Sequence, residues 1–455
     1  VKENTDWSDR KIEKKIAEAE RYGIDINNFV RNQCWNFEST RQYKLLREIQ
    51  YNEKQKRLKI NKWYTKVIQE KRNCTKEEAS EVMSLYKKKG FPNSTFILSG
   101  KYKDKIEDLK TMERYEKPAT DCFVREKNEM YRRLIMDDTG WSETEVRLRF
   151  RKARVNCGCT LSEYYAMRLY KKSDEEQKNY ITNEIFLRLA YRYCDYVDGL
   201  KFFQNKVLFN ERFRKYVKRK WFKTEGLSYE TFLSFFKSQN EIIYKPDNLA
   251  LGVGVKKYFV SQHEEVNKNI YKEVTIDKKG IIEEVIKQHP IMEKLNSEAV
   301  SSIRVQTIVK NGKVNFLNTT LRTAMTHGQC NDNLASGGGA ANVDIKTGII
   351  VTDAVTKAGE KYEYHPITGV RFKGLKIPSW NKVLNTCAEA ALEFKNMPYI
   401  GWDVAINSYG EIELIEGNSQ QDAVFHQLPW AVCEGKGIRK TVDKYVWFGE
   451  EDRTV

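Results

Sequence analysis

An α+β fold behind an all-α region is predicted by a change of texture along the 455 residues. Up to about residue 200 the chain is rich in Lys, Arg, Glu and Tyr and poor in Gly and Pro, which reads as helices. From about Val207, glycines and short alternating runs appear, such as Ile303-Arg304-Val305-Gln306-Thr307-Ile308, with helical stretches between them such as Trp380 to Phe394. Strands mixed with helices and hairpins predict α+β. Hydrophobic residues make up 40% and charged residues 31%, a globular composition long enough for two or three domains. No run approaches the roughly 18 apolar residues of a membrane span, and the first residues are polar with no signal-peptide core. The 9 cysteines carry no C-x-x-C pair. Reduced thiols and a cytoplasmic location are expected.

The helical region, 1–200, shows three divergent repeats. Asp6-Trp7-Ser8, Thr75-Lys76-Glu77-Glu78 and Gly140-Trp141-Ser142 open them, and Gly23, Gly90 and Gly158 stand where helix stops are needed. Thr75 with Glu78, and Ser142 with Glu145, predict capping boxes, in which hydroxyl and carboxylate each satisfy one orphan backbone N–H. The region reads either as a scaffold or as a docking surface for an acceptor. The net charge of +16, from 79 Lys+Arg against 63 Asp+Glu, suits an acidic substrate, an anionic membrane surface or nucleic acid. No zinc finger, RNA-recognition signature or basic zipper is present, so nucleic acid is not the expected partner.

The next stretch, 201–286, begins with Lys206 and continues to the strand Glu241-Ile-Ile-Tyr-Lys245. Lys245 projects from the end of that strand, and Gly252 and Gly254 let the following loop approach a ligand. A lysine point charge beside exposed N–H groups suits a polyphosphate. The strand ending in Glu283, Glu284, Val285 and Ile286 offers a backbone edge to a planar base.

The last stretch, 287–455, places Arg304 near the start of one strand and Arg322 near the end of the next, the residue type for multidentate recognition of phosphate or carboxylate. Asn331-Asp332-Asn333 and the triplet Gly337-Gly338-Gly339 follow, and the glycines predict close approach to a ligand. Two alternating runs then flank Asn407-Ser408-Tyr409-Gly410 and read as a β-hairpin. Asp403, Glu416 and Asn418 stand at its ends. They are hard oxygen donors of the kind Mg2+ prefers.

This order of parts resembles the ATP-grasp enzymes, and within them the sugar-transfer-associated ATP-grasp proteins. The resemblance covers roughly residues 160–450. It rests on Gln288-His289-Pro290, Ser302-x-Arg304-Val305-x-Thr307, His365-Pro366-x-Thr368-Gly369, Ile377-Pro378-x-Trp380, Gly401-Trp402-Asp403-Val404-Ala405 and Ile415-Glu416-Gly417-Asn418. It implies two α+β lobes clamping ATP. Lys206, Lys245 and the glycine loop would hold the phosphates. The backbone of Glu283 to Ile286 would take adenine, with Gln288 or His289 near the ribose and Asn333 beside the nucleotide. Asp403, Glu416 and Asn418 would hold one or two Mg2+, with Mn2+ able to substitute. Arg304 and Arg322 would neutralise transferring charge. Many of these enzymes carry an acidic ribose ligand where this chain has Gln288-His289-Pro290.

The implied activity is ATP-dependent carboxylate–amine ligation through an acylphosphate, in bacterial surface polysaccharide biosynthesis. The amide would join a sugar acid to an amino acid or amino sugar, with a glycan or lipid-linked acceptor as partner. An ATP-grasp peptide ligase using the helical repeats is the second reading. A non-catalytic nucleotide-binding or nucleic-acid-binding protein is the third.

Overall fold

The computed structural model describes residues 41–445 except 93–99, 115–121, 196–198, 200–201, 248–253, 276–278, 330 and 420–421, with a few residues between 8 and 14. The expected repeat at Trp7, its stop at Gly23, and Gly252 lie outside the described residues. Two compact units form. The first is built mainly from residues up to Gly90 and from Met112–Lys178, the second from Phe91–Thr111 and Asn179–Gly449.

The first unit is helical, with helices Arg41–Arg72, Lys76–Lys88, Cys122–Thr139, Glu143–Cys157 and Leu161–Ala166. Thr75 and Glu78 close a full capping box, at 3.2 and 2.9 Å. Ser142 makes only its own half, accepting from the Glu145 N–H at 3.3 Å, because the Glu145 carboxylate turns toward Arg149, 3.8 Å away. Gly158 ends that helix in the left-handed conformation, φ +71°, and its N–H donates to the Arg154 carbonyl at 2.9 Å.

The second unit holds two antiparallel sheets. The smaller has four strands in the order β1-β4-β2-β3, with β1 Trp221–Lys223, β2 Glu241–Pro246, β3 Lys256–Phe259 and β4 Gly280–Glu284. Helices Tyr229–Gln239 and Glu264–Thr275 cover one face, and Phe232, Phe236, Ile242, Tyr244, Val274 and Ile282 form its core. Alternation along β2 sends Ile242 and Tyr244 into that core and Ile243 and Lys245 to the opposite face.

The larger sheet has seven strands in the order β11-β10-β5-β6-β7-β8-β9. Their ranges are β5 Ser302–Lys310, β6 Lys313–Thr323, β7 Gly339–Asn342, β8 Ala354–Thr356, β9 Lys361–Tyr362, β10 Tyr399–Ile406 and β11 Ile412–Asn418. Helix Trp380–Glu393 packs on its central strands. On one face of β10 the buried Trp402 meets the rings of Phe203 and Phe213 at 6.1 and 5.3 Å.

Among the described residues the backbone passes between the sheets twice. It runs beside β11, where the Leu414 N–H donates to the Tyr216 carbonyl at 3.0 Å, and then enters β1. It returns after β4, where the His289 N–H donates to the Ile406 carbonyl and the Ser408 N–H to the Lys287 carbonyl, both at 2.8 Å.

Candidate active site

One row of paired residues crosses the larger sheet. Glu416 on β11 faces Asp403 on β10, Asp403 faces Arg304 on β5, and Arg304 faces Thr320 on β6. The period of two adds Asn418, Ser302 and Arg322 to the same face. A register shift between Asp403 and Val404 interrupts the β10–β11 ladder beside the carboxylates, a feature that re-aims side chains. Gly417 points the other way. A Cβ there would lie 2.6 Å from the Phe203 ring, so the aromatic layer requires glycine between Glu416 and Asn418.

Asp403 is buried and ionised. Arg304 grips it with two nitrogens, Nη2 at 2.6 Å, and Arg322 donates from Nη1 at 2.9 Å. Burial alone would raise its pKa, but the Arg304 and Arg322 charges outweigh that and hold it well below the usual carboxylate range. Glu416 moves the opposite way. The protein atoms around its carboxyl raise its pKa, and the neighbouring Asp403 charge adds to this, although the residue itself opens to solvent. The two carboxyl groups act on each other, and the pair is pulled apart, with Asp403 held down and Glu416 pushed up. Asn418 turns its amide nitrogen to Asp403 at 3.3 Å and to Glu416 at 3.1 Å.

This donor set fits a hard divalent cation. Among the described residues no three His, Cys, Asp or Glu stand together, so the set is two carboxylates and one amide. All three offer oxygen when Glu416 is ionised and the Asn418 amide turns. A cation would relieve the crowding that lifts Glu416.

The arginines expected to meet transferring charge are already engaged. Arg304 is buried against Asp403, and Arg322 bridges Asp403 to Asp332, its Nη2 lying 2.8 Å from the Asp332 carboxylate. Asp332 also accepts from the Ser302 N–H at 3.1 Å and from the Ser302 hydroxyl. Sequence reasoning passed over Asp332 because it sits between two asparagines in a segment that reads as an ordinary loop. Asn333 lies in the same loop, where its carbonyl accepts from Ser336 and Gly338 at 3.0 Å.

Two glycines of the triplet lie against the protein itself. A Cβ at Gly338 would lie 2.5 Å from the Asp332 carbonyl, and one at Gly339 would lie 2.7 Å from the Met325 sulfur. Their close approach is to the protein's own chain, and Gly339 opens β7.

Strand β2 and the helix before β1 supply the lysines. Lys245 pairs with the buried Glu283 carboxylate. Lys206 opens helix Lys206–Arg212, which Asn205 caps by accepting from the Leu208 N–H at 2.8 Å. Asp247 anchors this start, accepting from the Lys206 N–H at 2.9 Å and the Asn205 amide at 2.7 Å. Burial lowers the pKa of the Lys206 ammonium. Glu416 acts against that, and Lys245 lowers it further. Lys206 thus sits within electrostatic reach of both the Lys245 ammonium and the Glu416 carboxylate. Gly254 is left-handed, φ +74°, at the end of the loop before β3.

After β4 the segment Val285-Ile286 is half-buried, and its N–H groups are not taken up by the sheet. Glu284 is held by the chain, its carboxylate accepting from the Lys220 N–H at 2.6 Å. Gln288 and His289, expected near a ribose, are used locally. Gln288 donates to the Asn296 and Ala299 carbonyls at 2.8 and 3.0 Å and accepts from the Ser301 N–H at 2.7 Å. His289 Nδ1 caps the short helix Pro290–Glu293, accepting from the Ile291 N–H at 3.2 Å.

Two carboxylates and an amide thus gather on one sheet face, with Lys206 within electrostatic reach of Glu416. Residues 253–444 match the family described as sugar-transfer associated ATP-grasp. That stretch is similar to the family and covers less than half of the chain. The match includes Arg304, Arg322, Asp403, Glu416 and Asn418, and begins after Lys206 and Lys245.

No curated protein matches the chain. Solved structures similar to it include D-alanine–D-alanine ligase from Bacillus anthracis, at 15% identity over 56% of this chain and 67% of that one, TM-score 0.32. VanG D-Ala:D-Ser ligase from Enterococcus faecalis is similar at 13% identity over 55% and 62%, TM-score 0.35. The ADP complex of PurK, N5-carboxyaminoimidazole ribonucleotide synthetase, is similar at 10% identity over 49% and 46%, TM-score 0.31. The chain spans about half to two thirds of the length of these proteins, 46% to 67%. Among the described residues no helix is long and apolar enough to cross a membrane.

Proposed function

We propose that the protein is an ATP-dependent carboxylate–amine ligase. The observation that carries this reading is the single sheet face on which Arg304, Arg322, Asp403, Glu416 and Asn418 gather, with Lys206 within electrostatic reach of Glu416. Asp403, Glu416 and Asn418 would hold Mg2+, which when bound neutralises phosphate oxygens. Lys245 and Lys206 bind the phosphates as point charges. The unpaired N–H groups of Val285 and Ile286 meet the edge of the adenine. Arg304 keeps Asp403 ionised and aimed. Arg322, held between Asp403 and Asp332, presents fixed positive charge to an incoming carboxylate.

In the reaction the substrate carboxylate takes the γ-phosphoryl group of ATP, releasing ADP. An amine then attacks the acyl carbon, and phosphate leaves with the C–O bond electrons. Placement and charge neutralisation are what such a transfer needs from a protein. The family's association with sugar transfer favours a sugar acid as the carboxylate and an amino acid or amino sugar as the amine, and the charge of +16 favours an acidic glycan acceptor.

The test is ADP and phosphate release against a panel of uronic acids, amino acids and amino sugars. Release that requires both a carboxylate and an amine, with a product lighter than their sum by one water, is expected. ADP release that needs neither would overturn the ligase reading.

A further inference from the structure

Arg219 stands where the backbone leaves the edge of the larger sheet for the smaller one. The main-chain N–H groups of Lys218 and Arg219 donate to the Glu413 carboxylate on β11, at 2.9 and 3.2 Å. The Arg219 side chain then reaches both sheets. Nη1 donates to the Leu414 carbonyl on β11 at 2.9 Å and lies 3.7 Å from Glu413, while Nε donates to Glu283 on β4 at 2.8 Å. The second Glu283 oxygen pairs with Lys245.

Arg219 and Glu283 are 5% and 1% exposed, so neither can meet a nucleotide from solvent. Burial would raise the Glu283 pKa, but Arg219 first and Lys245 next bring it below the usual carboxylate range. Glu283 is therefore a buried anion held between two cations, one of which is the lysine assigned to the phosphates under the ATP reading above. Arg219 Nη2 is buried with no partner.

We infer that Arg219 is a positioning residue. Through Glu283 it sets where the Lys245 ammonium stands relative to the carboxylates on β10 and β11. The inference rests on the ATP reading above. The planar guanidinium is what allows one side chain to hold a carbonyl on one sheet and a carboxylate on the other, so lysine cannot replace it.

The experiment measures equilibrium binding of adenosine, and of ATP with Mg2+, to the full chain and to Arg219→Lys, Glu283→Gln, Lys245→Met and Arg219→Lys/Lys245→Met, with thermal unfolding alongside. Glu283→Gln keeps an oxygen for Arg219 but turns an amide nitrogen to Lys245, and it carries the test if Arg219→Lys does not fold. ATP affinity is expected to fall about tenfold in each single variant, with adenosine affinity unchanged. Lys245→Met should cost little more in the Arg219→Lys background, because the two act as a unit. Equal losses for adenosine and ATP, additive losses, or wild-type ATP affinity in folded variants would overturn the role of Arg219. A wild-type chain that binds neither ligand would overturn the ATP reading itself, and this inference with it.

Discussion

At the residue scale, Asp403 and Glu416 face each other across two strands and are driven in opposite directions. Asp403 has a depressed folded pKa, so its contribution to stability is present at neutral pH and is lost as pH falls through the folded value. Asp403→Asn leaves the buried Arg304 without its counter-charge and is expected to cost about 3–5 kcal/mol in urea unfolding at pH 7. The gap to wild type should close only in strong acid. Glu416 has a raised folded pKa, so its charged form opposes folding, and stability present in acid is lost as pH rises through that value. Glu416→Gln should therefore be neutral or stabilising at pH 7 without Mg2+. Added Mg2+ should raise the melting temperature of wild type and not of this variant. A destabilised Glu416→Gln protein that still gained stability from Mg2+ would refute the metal assignment.

At the element scale, glycines decide how tightly the site is built. Gly338→Ala would drive a Cβ against the Asp332 carbonyl, 2.5 Å away, and a backbone atom cannot swing aside. A loss of about 1–3 kcal/mol is expected in thermal unfolding. A lower kcat should accompany it, because Asp332 holds Arg322. The hairpin β10–β11 was legible in the chain, since its alternation and the Asn407-Ser408-Tyr409-Gly410 turn are local signals. The purpose of Gly337-Gly338-Gly339 was not legible. Close approach can be read from a glycine run, but what approaches depends on a loop folding back from Asp332. Ser142 makes the same point on a smaller scale, because the competitor for its partner Glu145 is another side chain, Arg149.

At the scale of the whole molecule, the segment Phe91–Thr111 belongs with the second unit although residues of the helical unit follow it in the chain. Tyr102 and Leu109 within it are buried. A chain beginning at Asn179 keeps every residue of the site but loses these two. It should bind Mg2+–ATP and melt below the corresponding transition of the full chain, which calorimetry with and without nucleotide can measure. Each such buried side chain is worth about 1.5–3 kcal/mol.

The chain alone was enough for the order of its parts. The helical texture before residue 200, the α+β texture after it, and the motif run from Arg304 to Asn418 all depend on neighbours close in sequence, where periodicity and turn residues act directly. Tertiary structure decided which charges meet. Arg219 and Glu283 are 64 residues apart, and Arg304 and Asp403 are 99 apart. Their pairings come from strand register and from two crossings of the backbone between sheets. A carboxylate's partner, and so its pKa and its freedom to hold a cation, is set by what the fold brings within a few ångströms, and one-dimensional spacing carries no such distance.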